Sequence, residues 1–298
     1  MLVCVSVKCP YKLTQSGEIK LDEKDVCGMT VLHKKLYLLS NSIFIRHLQY
    51  PFAFVGEIKT PEIKSPNEIV SCTKTSCLYI YDKSADCVWK VSVPDHRVSL
   101  WLDKVQEPGA LSVTSKSELL ILRNSKPVCV EVYNEQAILV RRVKLPATIP
   151  SLRRFDETPS GKYIGLGEQS VFAFRRDGSL IIQMQPISDA RYRGNPQCIN
   201  VSPYHILLQC CTYYSNRPNF GTFSFAQKPI VQAQFANCSS ISSLTHDLTN
   251  SQILVDKSDD WIKPVASCYL KETKQLLVLE DSINDKTWKL KPYDVTSE

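Results

Sequence analysis

The sequence has no long hydrophobic run, which limits what the chain can be. No stretch approaches the roughly 20 uninterrupted apolar residues that a membrane-spanning helix needs, so we expect no membrane span. The first apolar run is shorter than the roughly 7 to 15 residues of a secretory signal core, and no basic residue precedes it. We therefore expect no signal peptide.

Signatures of catalysis and metal binding are also missing. The five histidines are isolated, and none lies in a nucleophile elbow or a metal-binding helix. The pairs Cys4/Cys9 and Cys72/Cys77 do not have the spacing of zinc ligands. No glycine-rich loop opens a helix. The sequence therefore predicts no catalytic residue, no metal site and no cofactor.

Cysteine is plentiful, with twelve along the chain. Several lie inside apolar, strand-like runs, which is typical of small buried thiols. Disulfide scaffolds are usually short and loop-rich, whereas this chain is long and rich in strands, so we expect a reducing compartment and a cytoplasmic location. Glycosylation triplets beginning at Asn200 and Asn237 leave a secreted protein as the alternative.

The most informative feature is an internal repeat. The segment LYIYDKSADCVWKVSV at residues 78–93 recurs as LVLEDSINDKTWKLKP at residues 277–292, and the aligned positions include Asp82/Asp281, Asp86/Asp285 and Trp89/Trp288. Each copy is an apolar run, a turn with two acids, and a run that contains Trp. This pattern predicts two neighbouring antiparallel strands, with the acids bonding backbone amides in the turn and the Trp packing between repeats.

Strong apolar runs recur at near-equal intervals. They fall at Leu36, Leu78, Leu119, Tyr163, His205 and Leu277, with spacings of 42, 41, 44, 42 and 72 residues. Four intervals of this length, each holding four strand-like runs, are typical of β-propeller blades. We expect an all-β fold with six blades, or seven if the last interval holds two short ones.

The long last interval and the two ends of the chain complete this interpretation. Residues 1–298 are expected to form one propeller domain, with an insertion or long loops within about residues 211–262. The tetrapeptide GEIK occurs at residues 17–20 and again at 56–59, in the outer strand of the first unit. We therefore expect the N-terminal strand to complete the last blade and close a monomeric ring.

The repeated doublet, acidic turn and Trp-containing strand resemble NHL-type and related six-bladed propellers. The Gly-His and Trp-Asp pairs of WD repeats are absent from these units. The resemblance implies a ring with a central channel and binding faces, and some NHL-type propellers bind RNA through a basic face. Lactonase-like propellers carry acidic and amide ligands around a central metal, which makes a metal-dependent hydrolase with a site in the channel the alternative function.

Arginine is concentrated in one part of the chain. Eight of the twelve arginines fall between residues 141 and 193, although adjacent arginines on a strand must point to opposite faces. Arginine binds phosphate and carboxylate through its planar fork. The residues proposed for a basic binding face are Arg153, Arg154, Arg175, Arg176, Arg191 and Arg193.

Aromatic residues in the insertion provide a second candidate surface, formed by Tyr213, Tyr214 and Phe220. Tyrosine and arginine are enriched at protein interfaces. The sequence thus predicts a non-catalytic binding scaffold that recognises a macromolecule. A protein partner is the first choice, and single-stranded RNA bound by the basic face is the second.

Overall fold

The fold is known from a computed structural model of the whole chain. Between residues 184 and 265, and at a few strand ends, it describes the backbone alone. The described residues are 11–21, 26–40, 44–49, 52–105, 108–149, 151–158, 160–167, 170–187, 194–201, 206–212, 222–225, 240–244, 251–256, 262–270, 273–282 and 287–297.

Every regular element in this part of the chain is a β-strand, and all strand pairs are antiparallel. No helical segment in the described ranges has the length and apolarity that crossing a membrane requires. The strands are β1 (Tyr11–Gln15), β2 (Ile19–Leu21), β3 (Val26–Leu32), β4 (Lys35–Ser40), β5 (Phe44–Gln49), β6 (Ala53–Lys59), β7 (Pro66–Cys72), β8 (Cys77–Asp82), β9 (Cys87–Ser92), β10 (Val98–Leu102), β11 (Pro108–Val113), β12 (Leu119–Arg123), β13 (Cys129–Tyr133), β14 (Leu139–Lys144), β15 (Leu152–Glu157), β16 (Tyr163–Gly167), β17 (Val171–Phe174), β18 (Leu180–Ile187), β19 (Gly194–Val201), β20 (Ile206–Thr212), β21 (Thr222–Phe225), β22 (Ser240–Leu244), β23 (Ser251–Asp256), β24 (Ile262–Leu270), β25 (Gln275–Ser282) and β26 (Thr287–Ser297).

These strands form separate sheets in chain order, as a propeller requires. Blades one to four are β3–β6, β7–β10, β11–β14 and β15–β18, and the closing blade is β24–β26 with β1 and β2. Side chains are described in these five blades, fewer than the six or seven predicted. A further sheet, β19-β20-β22-β23, is described by its backbone alone and is called the β19 sheet here. Strand β21, from the predicted insertion, adds to β18 as a fifth strand of blade four.

The first strand of each sheet is its innermost strand. These strands contact one another in the order β3, β7, β11, β15, β19 and β24, and β24 returns to β3. The sheets therefore stand radially around a channel, and the prediction of an all-β propeller is confirmed. Each apolar run of the sequence analysis falls in the second strand of its sheet, except that His205 lies just before β20 and outside the described residues.

The N-terminal segment closes the ring, as predicted. Both β1 and β2 pair with β26 and form the outer strand of the closing blade. The two GEIK segments serve the same purpose in their blades. Glu57 forms an ion pair with Arg46 on the neighbouring strand at 2.8 Å, and Glu18 lies 3.3 Å from Lys289 on β26. The isoleucine that follows each glutamate packs into an apolar cluster between blades.

The first strand of each of the six sheets carries a β-bulge near its start. In each, one extra residue follows one of the first three residues of the strand, which is Val26, Pro66, Pro108, Leu152, Pro196 or Pro264. Proline cannot donate to a ladder and is tolerated at bulges and edges, which explains four prolines at equivalent places. The bulge bends each inner strand where it lines the channel.

Apolar side chains fill the spaces between blades. One cluster joins blade one to blade two through residues such as Tyr37 and Ile80, and Trp89 packs against it. Another joins the closing blade to blade one, and Trp288 packs against that one. The predicted position of both tryptophans between adjacent blades is therefore confirmed, and the described part of the core is a series of such clusters between blades.

The acidic turn of the repeat also has its predicted structural use. Asp82 is fully buried, and its carboxylate accepts hydrogen bonds from the backbone N–H groups of Lys64 at 2.8 Å, Ser65 at 3.1 Å and Ser84 at 3.0 Å. Asp86 accepts the Tyr81 hydroxyl at 3.0 Å rather than an amide. The side chains of the second copy, Asp281 and Asp285, lie outside the described residues.

The six cysteines whose side chains are described form no disulfide with one another. They are Cys27, Cys72, Cys77, Cys87, Cys129 and Cys268. All but Cys27 are buried, as their positions in apolar runs predict.

Candidate binding site

A solvent-open cleft of about 810 Å³ lies at one end of blades two and three, and we call it the basic cleft. It is bordered by the turn between β8 and β9, the segment after β10, the turn between β12 and β13, and the end of β14. Its lining residues are Asp86, Lys104, Arg123, Ser125, Lys126, Pro127, Cys129, Glu131, Arg142 and Lys144.

Glu131 on β13 is the central residue of this cleft. Its carboxylate accepts a hydrogen bond from Arg123 Nε at 2.8 Å and two from Arg142, from Nε at 3.2 Å and Nη2 at 2.5 Å. The Tyr133 hydroxyl donates to the same carboxylate at 3.0 Å. Only 6% of the Glu131 side chain is exposed, against 53% for Arg142. A buried carboxylate thus fixes two guanidinium groups, one of them at the surface.

The electrostatics follow from this arrangement. Burial by itself raises the pKa of Glu131, but the hydrogen bonds from Arg123 and Arg142 outweigh burial and hold that pKa below its ordinary value. The hydrogen bond to Glu131 in turn raises the pKa of Arg142. Glu131 and Arg142 are therefore both charged at neutral pH.

Three lysines surround the pair of arginines. Lys104, Lys126 and Lys144 are exposed, and within the described part of the chain none of them forms an ion pair. With five cations against the carboxylates of Asp86 and Glu131, the lining carries a net charge of +3. The cleft is therefore suited to an anion.

The register of blade three explains why these residues meet. Arg123 lies opposite Cys129, and Cys129 lies opposite Lys144, while Glu131 lies opposite Arg142. Since side chains on a strand alternate between faces, these residues share the face that looks towards blade two. Three adjacent strands thus supply the charged groups from a rigid sheet.

The channel is a smaller, separate site. A cavity of about 200 Å³ is lined by inner-strand residues that include Thr30, Glu68, Ser112 and Asp156. Glu68 pairs with Arg154 from two blades away and accepts the Leu111 N–H at 2.8 Å. Burial raises the pKa of Glu68 despite that arginine. Among the residues described, no three His, Cys, Asp or Glu side chains converge as metal ligands would.

The structure separates the arginines that the sequence groups together. Arg153 is the bulged residue near the start of β15, whereas Arg175 and Arg176 follow the end of β17. Because β15 and β17 both run antiparallel to β16, these positions lie at opposite ends of blade four. Arg154 lies in the channel, paired with Glu68. A binding role for these arginines stays a prediction.

Other predicted positions lie outside the described residues: Arg191, Arg193, Tyr213, Tyr214 and Phe220. The arginine-rich segment at residues 141–193 contains only two of the five cations of the basic cleft, Arg142 and Lys144. The density of arginine along the chain therefore did not reveal the cleft. The pairing of strands in blade three would have revealed it, because that register places Arg123 and Lys144 in one row with Cys129.

Comparison with known proteins identifies the architecture only. No family model and no curated protein matches the sequence. Among solved structures, hydrazine synthase of Kuenenia stuttgartiensis superposes with a TM-score of 0.62 at 11% identity, covering 96% of this chain and 99% of that one. A structure described as YCF48 bound to D1 peptide gives a TM-score of 0.56 at 9% identity, covering 90% and 78%. Likeness at these identities supports the propeller fold and nothing finer.

Proposed function

We propose that this chain is a non-catalytic binding scaffold whose basic cleft takes up an acidic segment of a partner protein. One observation carries the proposal: two arginines, oriented by the buried Glu131, lie among three lysines without ion pairs in the described part of the chain. Charged groups fixed before binding lose little entropy on contact, so they add affinity and orientation.

A protein partner is favoured over RNA. The cations of the cleft form one compact site, whereas an RNA strand needs a basic track along its backbone. The YCF48 structure, which carries a peptide, is an example of this architecture presenting a peptide site. RNA remains the second form of the proposal, through Arg153, Arg154, Arg175 and Arg176 at both ends of blade four.

The proposal is tested by fluorescence anisotropy with an acidic peptide, a basic peptide and single-stranded RNA, each over a range of salt. We expect the acidic peptide to bind, more weakly as salt rises. Arg142→Glu and Lys126→Glu should each weaken binding about tenfold or more. The matched control is Lys116→Glu, an exposed lysine at the other end of blade three. Equal affinities for both peptides, or no effect of the cleft variants, would refute the proposal.

The hydrolase alternative places its site in the channel. Glu68 and Asp156 are the channel carboxylates, although Glu68 pairs with Arg154 and Asp156 accepts the Ser112 hydroxyl at 2.6 Å. Elemental analysis of the purified protein, with and without chelator, tests this alternative. A stoichiometric divalent ion would favour it over a simple scaffold.

We infer further that the β19 sheet is a sixth blade, since its inner strand contacts β15 on one side and β24 on the other. Six blades agree with the NHL-type interpretation of the sequence. A cytoplasmic location agrees with the free thiols among the described cysteines. Thiol titration of protein purified from its native cells tests the location, because a secreted protein would lose these thiols to disulfides.

A further inference from the structure

The basic cleft holds more positive charge than one carboxylate of a ligand could balance. Glu131 accepts hydrogen bonds from both arginines, and the Asp86 carboxylate accepts the Tyr81 hydroxyl. The three lysines of the cleft therefore have no carboxylate partner in the described part of the chain. A glutamate or aspartate of a ligand would compensate only one of them. A phosphate monoester carries about −1.5 to −2 at neutral pH and presents three acceptor oxygens, so it matches this excess far better.

The donors are also of the type that phosphate uses. Arg142 donates to Glu131 from Nε and Nη2, which leaves its Nη1 group outside this pair, on a side chain that is 53% exposed. Arginine held in this way offers a planar donor fork, and lysine offers a mobile point charge. Lys126 and Lys144 can therefore bind oxygen atoms of a phosphate that Arg142 orients.

An apolar residue beside the cations indicates that the phosphate belongs to a peptide. Leu139 lies opposite Tyr133 on the same face as Glu131 and Arg142, and 41% of it is exposed. A ligand that extends from the cleft along β14 would meet this leucine two or three residues away. A free phosphate ion would gain nothing from that contact.

We propose that the basic cleft recognises a phosphorylated serine or threonine in an extended segment of the partner protein. This inference rests on the proposed function and specifies its ligand. Arg142 binds the phosphate through its guanidinium, Glu131 positions Arg142, and Lys126 and Lys144 complete the charge balance. No covalent step is involved.

The test uses the full chain and three fluorescent pools of degenerate peptides, which differ only in a fixed central residue: phosphoserine, glutamate or serine. We expect the phosphoserine pool to bind at least about tenfold more tightly than the glutamate pool, and the serine pool to bind weakly, because added charge-assisted hydrogen bonds separate them. Arg142→Gln should remove most of this preference. Lys116→Gln is the matched control, and thermal melts check that both variants fold.

The outcomes separate the two proposals. Phosphoserine and glutamate pools that bind equally would overturn phosphate selectivity and leave an acidic-segment scaffold. If no pool binds at low salt, the proposed function fails with it. A preference that survives both Arg142→Gln and Lys126→Gln would place the phosphate elsewhere. Inorganic phosphate or single-stranded RNA that binds while every peptide pool fails would also overturn the proposal.

Discussion

Closure of the ring by the N-terminal strand leads to a graded prediction about β2. Leu21 is buried between the closing blade and blade one, Ile19 is half-buried, and Lys20 points to solvent. Replacing a buried leucine by alanine lowers the free energy of unfolding by about 2–5 kcal/mol. We expect Leu21→Ala to lose about 2–3 kcal/mol, at the low end of this range, because 7% of the residue is still exposed. Ile19→Ala should lose about 1 kcal/mol, and Lys20→Ala less than about 0.5 kcal/mol.

The ion pairs of this strand should matter less than its apolar contacts. The Glu18 side chain is 35% exposed and lies 3.3 Å from Lys289. Such pairs contribute about 0–1 kcal/mol. The loss of stability in Glu18→Gln should therefore be close to that of Lys20→Ala and much smaller than that of Leu21→Ala. Apolar burial, not charge, is thus expected to hold the ring closed.

Urea unfolding followed by tryptophan fluorescence measures this series, since Trp288 lies in the strand that β2 pairs with. The benchmark is Ile58→Ala, because Ile58 is the blade-one equivalent of Ile19 in the duplicated GEIK segment. Ile58 is fully buried, and its loss should cost about 3–4 kcal/mol. If Leu21→Ala and Lys20→Ala unfolded at the same urea concentration, the N-terminal strand would not be packed as described, and the closure argument would fail.

Three further changes test other parts of the fold. Glu131→Gln should destabilise the protein by about 2–3 kcal/mol at pH 7; because the folded pKa is depressed, this difference is present above about pH 4.5 and disappears as the pH falls through the folded pKa, which pH-dependent melts would show. Gly178→Ala should lower the free energy of unfolding by about 3 kcal/mol, since φ is +91° and a Cβ would overlap the Lys144 carbonyl. Gly161→Ala should lower it by only about 1 kcal/mol, because φ is +77° but the space around the Cβ is open. Similar melting temperatures of the two variants would contradict this difference. Asp82→Ala should lose about 2–4 kcal/mol because three backbone amides lose their acceptor, and unchanged amide exchange at Ser65 would argue against that role.

Sequence patterning predicted the propeller because its signals are local. Alternating apolar residues define strands, and the spacing of the second strands repeats at about one blade length. The duplicated GEIK even identified the closing strand, since Ile58 and Ile19 need the same kind of interblade pocket. These inferences need no knowledge of which strands pair over long distances.

The β-bulges of the inner strands leave a signal in the sequence, which is a proline near the start of the strand. Pro66 and Pro108 are the first residues of their strands, and Pro196 and Pro264 are the third residues of theirs; a proline in a strand indicates an edge or a bulge. They therefore mark the beginnings of four of the six sheets. Combined with the apolar runs, they would have placed the inserted residues within the sheet that contains Pro196.

The basic cleft could not be predicted by counting charges, because ion pairs within and between blades decide where uncompensated charge remains. Arg141 forms an ion pair with Glu118 at 3.1 Å, and Arg176 lies 3.9 Å from the same carboxylate. Both arginines thus lie at the end of blade three that holds the β11–β12 turn, and their ion pairs leave little net charge there. Arg141 also donates to the Tyr163 hydroxyl of blade four at 3.1 Å, so both arginines link blades three and four. At the opposite end, Lys126 and Lys144 have no carboxylate partner in the described part of the chain. Their positive charge is therefore uncompensated there, and it can attract an anionic ligand.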